Sequence, residues 1–171
     1  MSRSTAIVAA LVGTALCTGC GATTKYTPQV VAPGELYARY DDNVELWAGN
    51  DRIAASWGYA GLPEYVACVP EAAKHAQAAR SSGTTATALS IVGGVLGMSS
   101  LSGLGGVAYL KSDPVVADVW IGAALAAGAT GIVLAAMGRG YKNDANGHAI
   151  DAMNYYNDAV GVRGGTCKAP P

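Results

Sequence analysis

Phenylalanine is absent from the 171 residues, charged side chains make up only 13% of them, and histidine occurs twice. A soluble domain usually carries about 25% charged residues, so much of this chain lacks the makings of an ordinary water-facing surface. The formal net charge of −1 provides no basic face to follow a phosphate backbone, which sets nucleic acid aside as a partner. Catalytic patterning is also missing. No Ser/His/acid, Cys/His or paired-carboxylate arrangement stands out, and no enzyme activity or cofactor is expected. Gly103-Leu104-Gly105-Gly106 has the glycines of a phosphate loop without the strand before it or the lysine after it. Hydrophobic residues nonetheless reach 51%, with alanine and glycine carrying the excess.

Arg3 precedes the apolar run Ala6 to Leu16, followed by Cys17-Thr18-Gly19-Cys20. A charged start, an apolar core and a small-residue exit are the layout of a secretory signal, so residues 1–19 are expected to be removed. The exit resembles the lipobox of bacterial lipoproteins, in which a small residue stands before a cysteine that is lipidated and becomes the new N-terminus. Cys20 is that cysteine here, although Cys17 occupies the position where the family usually has leucine. The resemblance implies acyl chains such as palmitate on Cys20, each buried CH₂ contributing about 0.8 kcal/mol of membrane anchoring. Residues 20–34, with Pro28 and Pro33, lack periodicity and are expected to form a tether.

Residues 35–62 alternate apolar and polar positions between Asp/Asn/Gly clusters, which predicts a small strand meander. A helix is the rival, because Leu36, Tyr40, Val44 and Trp47 also fit three-to-four spacing. So few strands need support, and the aromatic residues Tyr37, Tyr40, Trp47, Trp57 and Tyr59 are the expected contact surface. Pro70-Glu71 then makes a good first helical turn. Ala72 to Arg80 has the alanine content of a strong helix, and Ser81-Ser82-Gly83 interrupts or loosens it. His75 is expected to be a solvated side chain.

Two apolar, glycine- and alanine-rich segments, 88–110 and 115–137, flank the polar break Lys111-Ser112-Asp113-Pro114. Each of about 23 residues measures about 35 Å as helix, enough for a hydrocarbon core of about 30 Å. Small residues recur at four-residue spacing, including Gly93 and Gly97, Ser99 and Gly103, and Ala123, Ala127, Gly131 and Ala135. That spacing predicts close helix packing where lipid provides no hydrophobic drive for association. Cys20 together with this pair resembles the glycine-zipper outer-membrane lipoproteins of Gram-negative bacteria. The resemblance covers the lipobox and the hairpin, and it implies a structural or assembly role in the envelope. Lipid, further copies of the chain and envelope membrane proteins are the expected partners, with the outer membrane, facing the periplasm, preferred to the inner. Positive charge at the outer ends, Arg80, Arg139 and Lys142, opposes insertion from the periplasmic side by the positive-inside rule. Segments so poor in leucine and isoleucine would escape retention in the inner membrane. A pore-forming membrane protein and a soluble periplasmic binding module are the alternatives.

After Gly138-Arg139-Gly140, taken as the exit from the membrane, Tyr141 to Val160 predicts an amphipathic helix with Ala145, Ala149, Ala152, Met153, Tyr156 and Ala159 along one side. It is expected to stop at Gly161 and to fold back beside Pro70–Arg80. Asp144-Ala145-Asn146-Gly147 begins like a calcium loop, but its glycine comes too early and its bidentate acid is missing. His75 and His148 lack a third ligand at motif spacing, so no metal is expected. With Cys17 removed and Cys20 acylated, Cys68 and Cys167 remain as a pair, expected to form a disulfide at the base of the hairpin. The fold class read from the sequence is mainly α: a long antiparallel helical hairpin over 63–161, a small N-terminal β-meander and a tail at 162–171.

Overall fold

The computed structural model of the chain describes residue 32 and residues 34–41, 43–106 and 114–163. The signal segment, Cys20, most of the tether, the break Lys111-Ser112-Asp113 and Cys167 lie outside the described residues.

Three strands come first, β1 (Leu36–Asp41), β2 (Asn43–Ala48) and β3 (Asp51–Ala55), in an antiparallel sheet of order β1-β2-β3. Leu46 stands opposite Ala38 on one side and Ala54 on the other. With Leu36 these residues form the face turned to the helices, where Leu36, Leu46 and Ala54 are buried. Of the aromatic contact surface expected from the sequence, only Tyr59 is buried against the helices. Tyr37 and Trp47 pair across β1 and β2 but are one residue out of phase with Leu36 and Leu46, so the period-2 pleat turns them to the opposite face. There the Arg39 guanidinium sits 5.5 Å over the Trp47 ring, and the Trp47 indole N–H donates to Glu45 at 3.0 Å. Trp57 is 68% exposed, and of the five aromatics only Tyr59 is buried.

A single helical turn, α1 (Leu62–Tyr65), leads to two long helices, α2 (Pro70–Gly106) and α3 (Pro114–Arg163). Pro70 has no N–H to leave unsatisfied and Glu71 faces the positive end of the helix dipole, so α2 begins where the sequence predicts. The helices run antiparallel: Gly103 lies beside Ala124, Gly93 beside Gly131, and Ala72 shares a core with Val160 at the far end. The fold is thus a mainly α hairpin with a three-stranded meander at its base.

Both helices are more continuous than expected. α2 passes through Ser81-Ser82-Gly83 without a break, and α3 through Gly138-Arg139-Gly140 and beyond Gly161 to Arg163. The reason is packing: Gly83 and Gly138 are buried where a partner backbone or side chain comes too close for a Cβ. Buried positions on α2 step by four and three, through Ala72, Ala76, Ala79, Gly83, Ala86, Gly93 and Ser100. On α3 they fall at Ala124, Gly131, Gly138, Ala145 and Ala152, seven residues apart, with Ala149 and Tyr156 between turns. This is the heptad repeat of a coiled coil, built from residues so small that the helices nearly touch.

The meander is fastened to the hairpin at three places. The Asn157 amide of α3 accepts the Leu36 N–H at 2.8 Å and donates to the Leu36 carbonyl at 2.7 Å, serving β1 as a neighbouring strand would. The Lys142 ammonium donates to Asn43 at 2.6 Å. Tyr59, in the left-handed region at φ 48°, is buried and donates its hydroxyl proton to Asn146 at 2.6 Å. Gly58 beside it lies so close to α2 that a Cβ at Gly83 would stand 3.0 Å from the Gly58 Cα. Burial alone pushes the Tyr59 phenol well above its ordinary value. Tyr65, ring to ring with Tyr156 at 5.4 Å, is pushed up to about 12, first by burial and then by the Tyr156 hydroxyl.

Candidate functional site

Two places on the hairpin carry features that the fold alone does not require. The first is its distal half. Ile91, Val95, Met98 and Leu101 on α2, and Val119 and Ile132 on α3, each expose more than half of their surface. Both helices are long and apolar enough to cross a membrane, and only 11% of the most apolar 18-residue stretch of each is buried within the protein. Large side chains point outward while the seam is filled by glycine, alanine and serine. That distribution inverts the usual one, in which contiguous exposed apolar surface is kept small.

The packing residues predicted from sequence divide unequally. Gly93 and Gly131 are buried against each other: a Cβ on Gly93 would meet the Gly131 carbonyl oxygen at 2.8 Å, and one on Gly131 the Gly93 carbonyl oxygen at 2.8 Å. Gly97 and Ala135 join this contact through their backbone nitrogens, at 3.0 and 3.1 Å from the same two constructed positions. A Cβ on Gly103 would meet the Ala124 methyl at 3.3 Å, and Ala127 is half-buried. Ala123 is exposed and does not belong to the seam. A four-residue step advances about 40° around a helix, so a stripe repeated only by fours leaves the contact face within a few steps. The seam instead uses Ala124, Gly128 and Gly138, with Ser100 opposite Gly128, which the four-residue spacing did not select, while Ser90, which that spacing pairs with Gly94, meets Gly138.

Polar groups in this half are largely self-contained. The hydroxyls of Ser99, Ser102 and Thr130 donate to the carbonyls of Val95, Met98 and Ala126, four residues back on their own helices, at 2.8–3.1 Å. Where the apolar half meets the base, the exposed side chains change character. Trp57 lies with its ring 5.8 Å from the Lys142 ammonium, and Arg139 and Tyr141 are exposed on the adjacent turn of α3. Trp120 is 52% exposed near the other end of the apolar stretch, half a turn from Asp118.

The second place is at the base. His75 of α2 and His148 of α3 flank the alanine seam on facing sides, with Nδ1 to Nδ1 at 3.1 Å. The Asp151 carboxylate, one turn from His148, lies 3.6 Å from the His75 Nδ1. His75 is not the solvated side chain expected: it is half-buried, stacked on Tyr155 with centroids 5.3 Å apart. Asp151 is the third member of this cluster, which the sequence did not disclose. Its spacing from His148 is ordinary for a helix surface, and His75 joins the pair only through tertiary packing. Asp144-Ala145-Asn146-Gly147 lies within α3 and forms no loop. Cys68 stands on the turn before α2, while Cys20 and Cys167 lie outside the described residues.

Comparison with protein families, with characterised proteins and with solved structures yields no match for this chain.

Proposed function

We propose that the protein is a non-enzymatic envelope lipoprotein, anchored through Cys20, whose distal hairpin half inserts into the bilayer and acts in assembly. The reading rests on one observation: exposed aliphatic side chains surround a glycine-lined seam from Ile91 to Met137. Residues 119–138 carry no charge and measure about 30 Å as helix, the thickness of a hydrocarbon core. Serine and threonine hydroxyls bonded within their own helix are tolerated in lipid, because no polar hydrogen seeks a partner there. Trp57 and Tyr141 with Arg139 and Lys142 at one end, and Trp120 at the other, fit the aromatic and basic residues found at headgroup depth. A soluble module would instead leave this surface in water.

Lipid is the first partner of this reading and further copies of the hairpin the second, since Gly94 and Gly122 face open space with nothing within 4 Å of a Cβ. The disulfide between Cys68 and Cys167 belongs to the same proposal. Val66 and Val69 share a core with Val160, which brings the end of α3 beside the turn that carries Cys68, seven residues of chain before Cys167.

Membrane fractionation of the wild type and Cys20→Ser, with non-reducing peptide mass spectrometry, tests the proposal. An acylated peptide starting at Cys20, a linked Cys68–Cys167 peptide, and retention of Cys20→Ser in carbonate-washed membranes are expected. An unmodified Cys20 sinks the lipoprotein reading, and release of Cys20→Ser into the wash sinks insertion. Dye leakage from liposomes holding the purified protein would favour a pore over an assembly element.

A further inference from the structure

His75, His148 and Asp151 present three ligand atoms that all lie within 4.8 Å of one another. From this arrangement we infer a divalent metal site, of zinc chemistry, that bridges α2 and α3 at the base of the hairpin. The inference does not depend on membrane insertion or on lipidation.

Geometry carries it first. Zinc bound by imidazole nitrogen and carboxylate oxygen at 2.0–2.2 Å has tetrahedral edges of about 3.3–3.5 Å between ligand atoms. The His75 to His148 edge of 3.1 Å and the His75 to Asp151 edge of 3.6 Å bracket that length, and the third edge, within 4.8 Å, closes by rotation of the exposed Asp151 carboxylate. Without a cation, two nitrogens meeting at 3.1 Å share one proton in an N–H···N hydrogen bond, and the Asp151 carboxylate lies 3.6 Å from the same His75 nitrogen. One cation between the three atoms satisfies all of them.

Rigidity carries it next. The histidines occupy positions beside the seam of a coiled coil, where longer charged side chains usually reach across to the partner helix. Here Ala72, Ala76, Ala145, Ala149 and Ala152 are fully buried in that seam, so the helices approach closely enough for two short imidazoles to meet. The Tyr155 ring fixes the plane of His75 from one side. On His148 the other ring nitrogen, Nε2, lies 3.9 Å from the Asp144 carboxylate. That carboxylate can orient the ring, as second partners do for metal-bound histidine.

Access completes the case. The side chains of His75 and His148 are 23% and 33% exposed and that of Asp151 53%, so an ion can enter from solvent and keep water in a fourth position. Two imidazoles and one carboxylate suit zinc among common divalent ions, whereas calcium and magnesium prefer an all-oxygen shell.

The test uses full-length protein without a polyhistidine tag, stripped with chelator, in detergent micelles. Zinc titration followed by calorimetry is expected to show one site per chain, with a zinc-dependent rise in unfolding temperature. His75→Ala and Asp151→Asn are expected to weaken binding at least tenfold and to abolish the thermal shift, while Asp158→Asn retains both. Cobalt in place of zinc is expected to give the visible spectrum of a tetrahedral complex in the wild type and not in His75→Ala. Helix ellipticity, expected to be unchanged, separates loss of a ligand from loss of fold. Equal zinc affinity in the wild type and in His75→Ala/Asp151→Asn, or no binding by the folded wild type, would overturn the inference.

Discussion

Alanine substitution of glycines in the distal half should change sign from one position to the next. At Gly131 a Cβ would stand 2.8 Å from the Gly93 carbonyl oxygen and 3.0 Å from the Gly97 nitrogen, where ordinary contact begins near 3.4 Å. Both obstacles are backbone, so no side chain can swing aside and the helices themselves must part. Parting by half an ångström or more forfeits a quarter to a half of each dispersion contact along the neighbouring seam. Overpacking of this kind costs about 1–3 kcal/mol, and the better helix propensity of alanine returns about 0.5–1 kcal/mol. Gly131→Ala and Gly93→Ala should therefore each destabilise, by up to about 2.5 kcal/mol. Their combination should cost less than the sum, because one separation relieves both collisions. At Gly94 and Gly122 nothing lies within 4 Å, and alanine should be neutral or stabilising by up to about 1 kcal/mol. Gly128 is intermediate: its Cβ would meet the Ser100 hydroxyl at 2.7 Å, and that group can rotate. Unfolding in detergent micelles, followed by helix ellipticity, reads the five single variants and the double. Equal midpoints for Gly131→Ala and Gly122→Ala would refute the seam as described.

Two further outcomes follow from the base of the hairpin. Asn157→Ala removes both bonds to Leu36 and leaves its N–H and carbonyl unsatisfied, at a cost of about 1–3 kcal/mol. Hydrogen exchange at Leu36 and protease cleavage within 36–61 should accelerate while hairpin helicity is kept; unchanged exchange would show that β1 is held by β2 alone. Alkali should loosen the same region. Tyr59 and Tyr65 are held neutral in the fold and ionise at lower pH once unfolded, so their stabilisation is intact below about pH 10 and falls as pH rises toward 12. Tyr59→Phe/Tyr65→Phe should flatten the fall in unfolding temperature across that window, and an undiminished fall would assign it to other groups.

The hairpin was legible because its two apolar segments, the break between them and the later run of alanines each declare helix over many residues. The meander was legible from its alternation and its Asp/Asn/Gly turns. Its packing face was not, since Leu36 and Leu46 differ from Tyr37 and Trp47 by one residue, and size alone favours the aromatics. The seam was half legible. Four-residue spacing selects Gly93, Gly97 and Gly131 correctly, yet it prefers Ala123 to Ala124 because the true repeat alternates fours with threes. In a chain with this much alanine and glycine, many stripes of small residues coexist, and only a partner helix chooses among them. The His75–His148 pair could be raised from the sequence, but Asp151 and the contact itself were not legible, because the histidines lie 73 residues apart on opposite helices of a hairpin whose register depends on that seam.

A single heptad repeat runs the length of the hairpin, but its residues change along the way, and the change follows from the solvent proposed for each half. At the base the seam is alanine: Ala72, Ala76 and Ala79 against Ala145, Ala149 and Ala152, all fully buried. In water each buried methyl gains transfer free energy, so removing it for a closer approach would lose stabilisation. Glycine enters this half once, at Gly83 against Gly58, whereas from Ala86 outward the seam turns mostly to glycine and serine, Gly93, Gly97 and Ser100 facing Gly128, Gly131 and Gly138, with Ala124 beside Gly103. In lipid a buried methyl gains nothing over one left facing the acyl chains, and association depends on dispersion and backbone proximity instead. Glycine then serves better than alanine because it brings Gly93 and Gly131 backbones into direct contact. The switch from alanine to glycine falls at Ser90 and Gly138, within a turn or two of Trp57, Arg139 and Tyr141. The seam and the surface thus change character at the same level of the hairpin, where the proposed insertion would put its boundary.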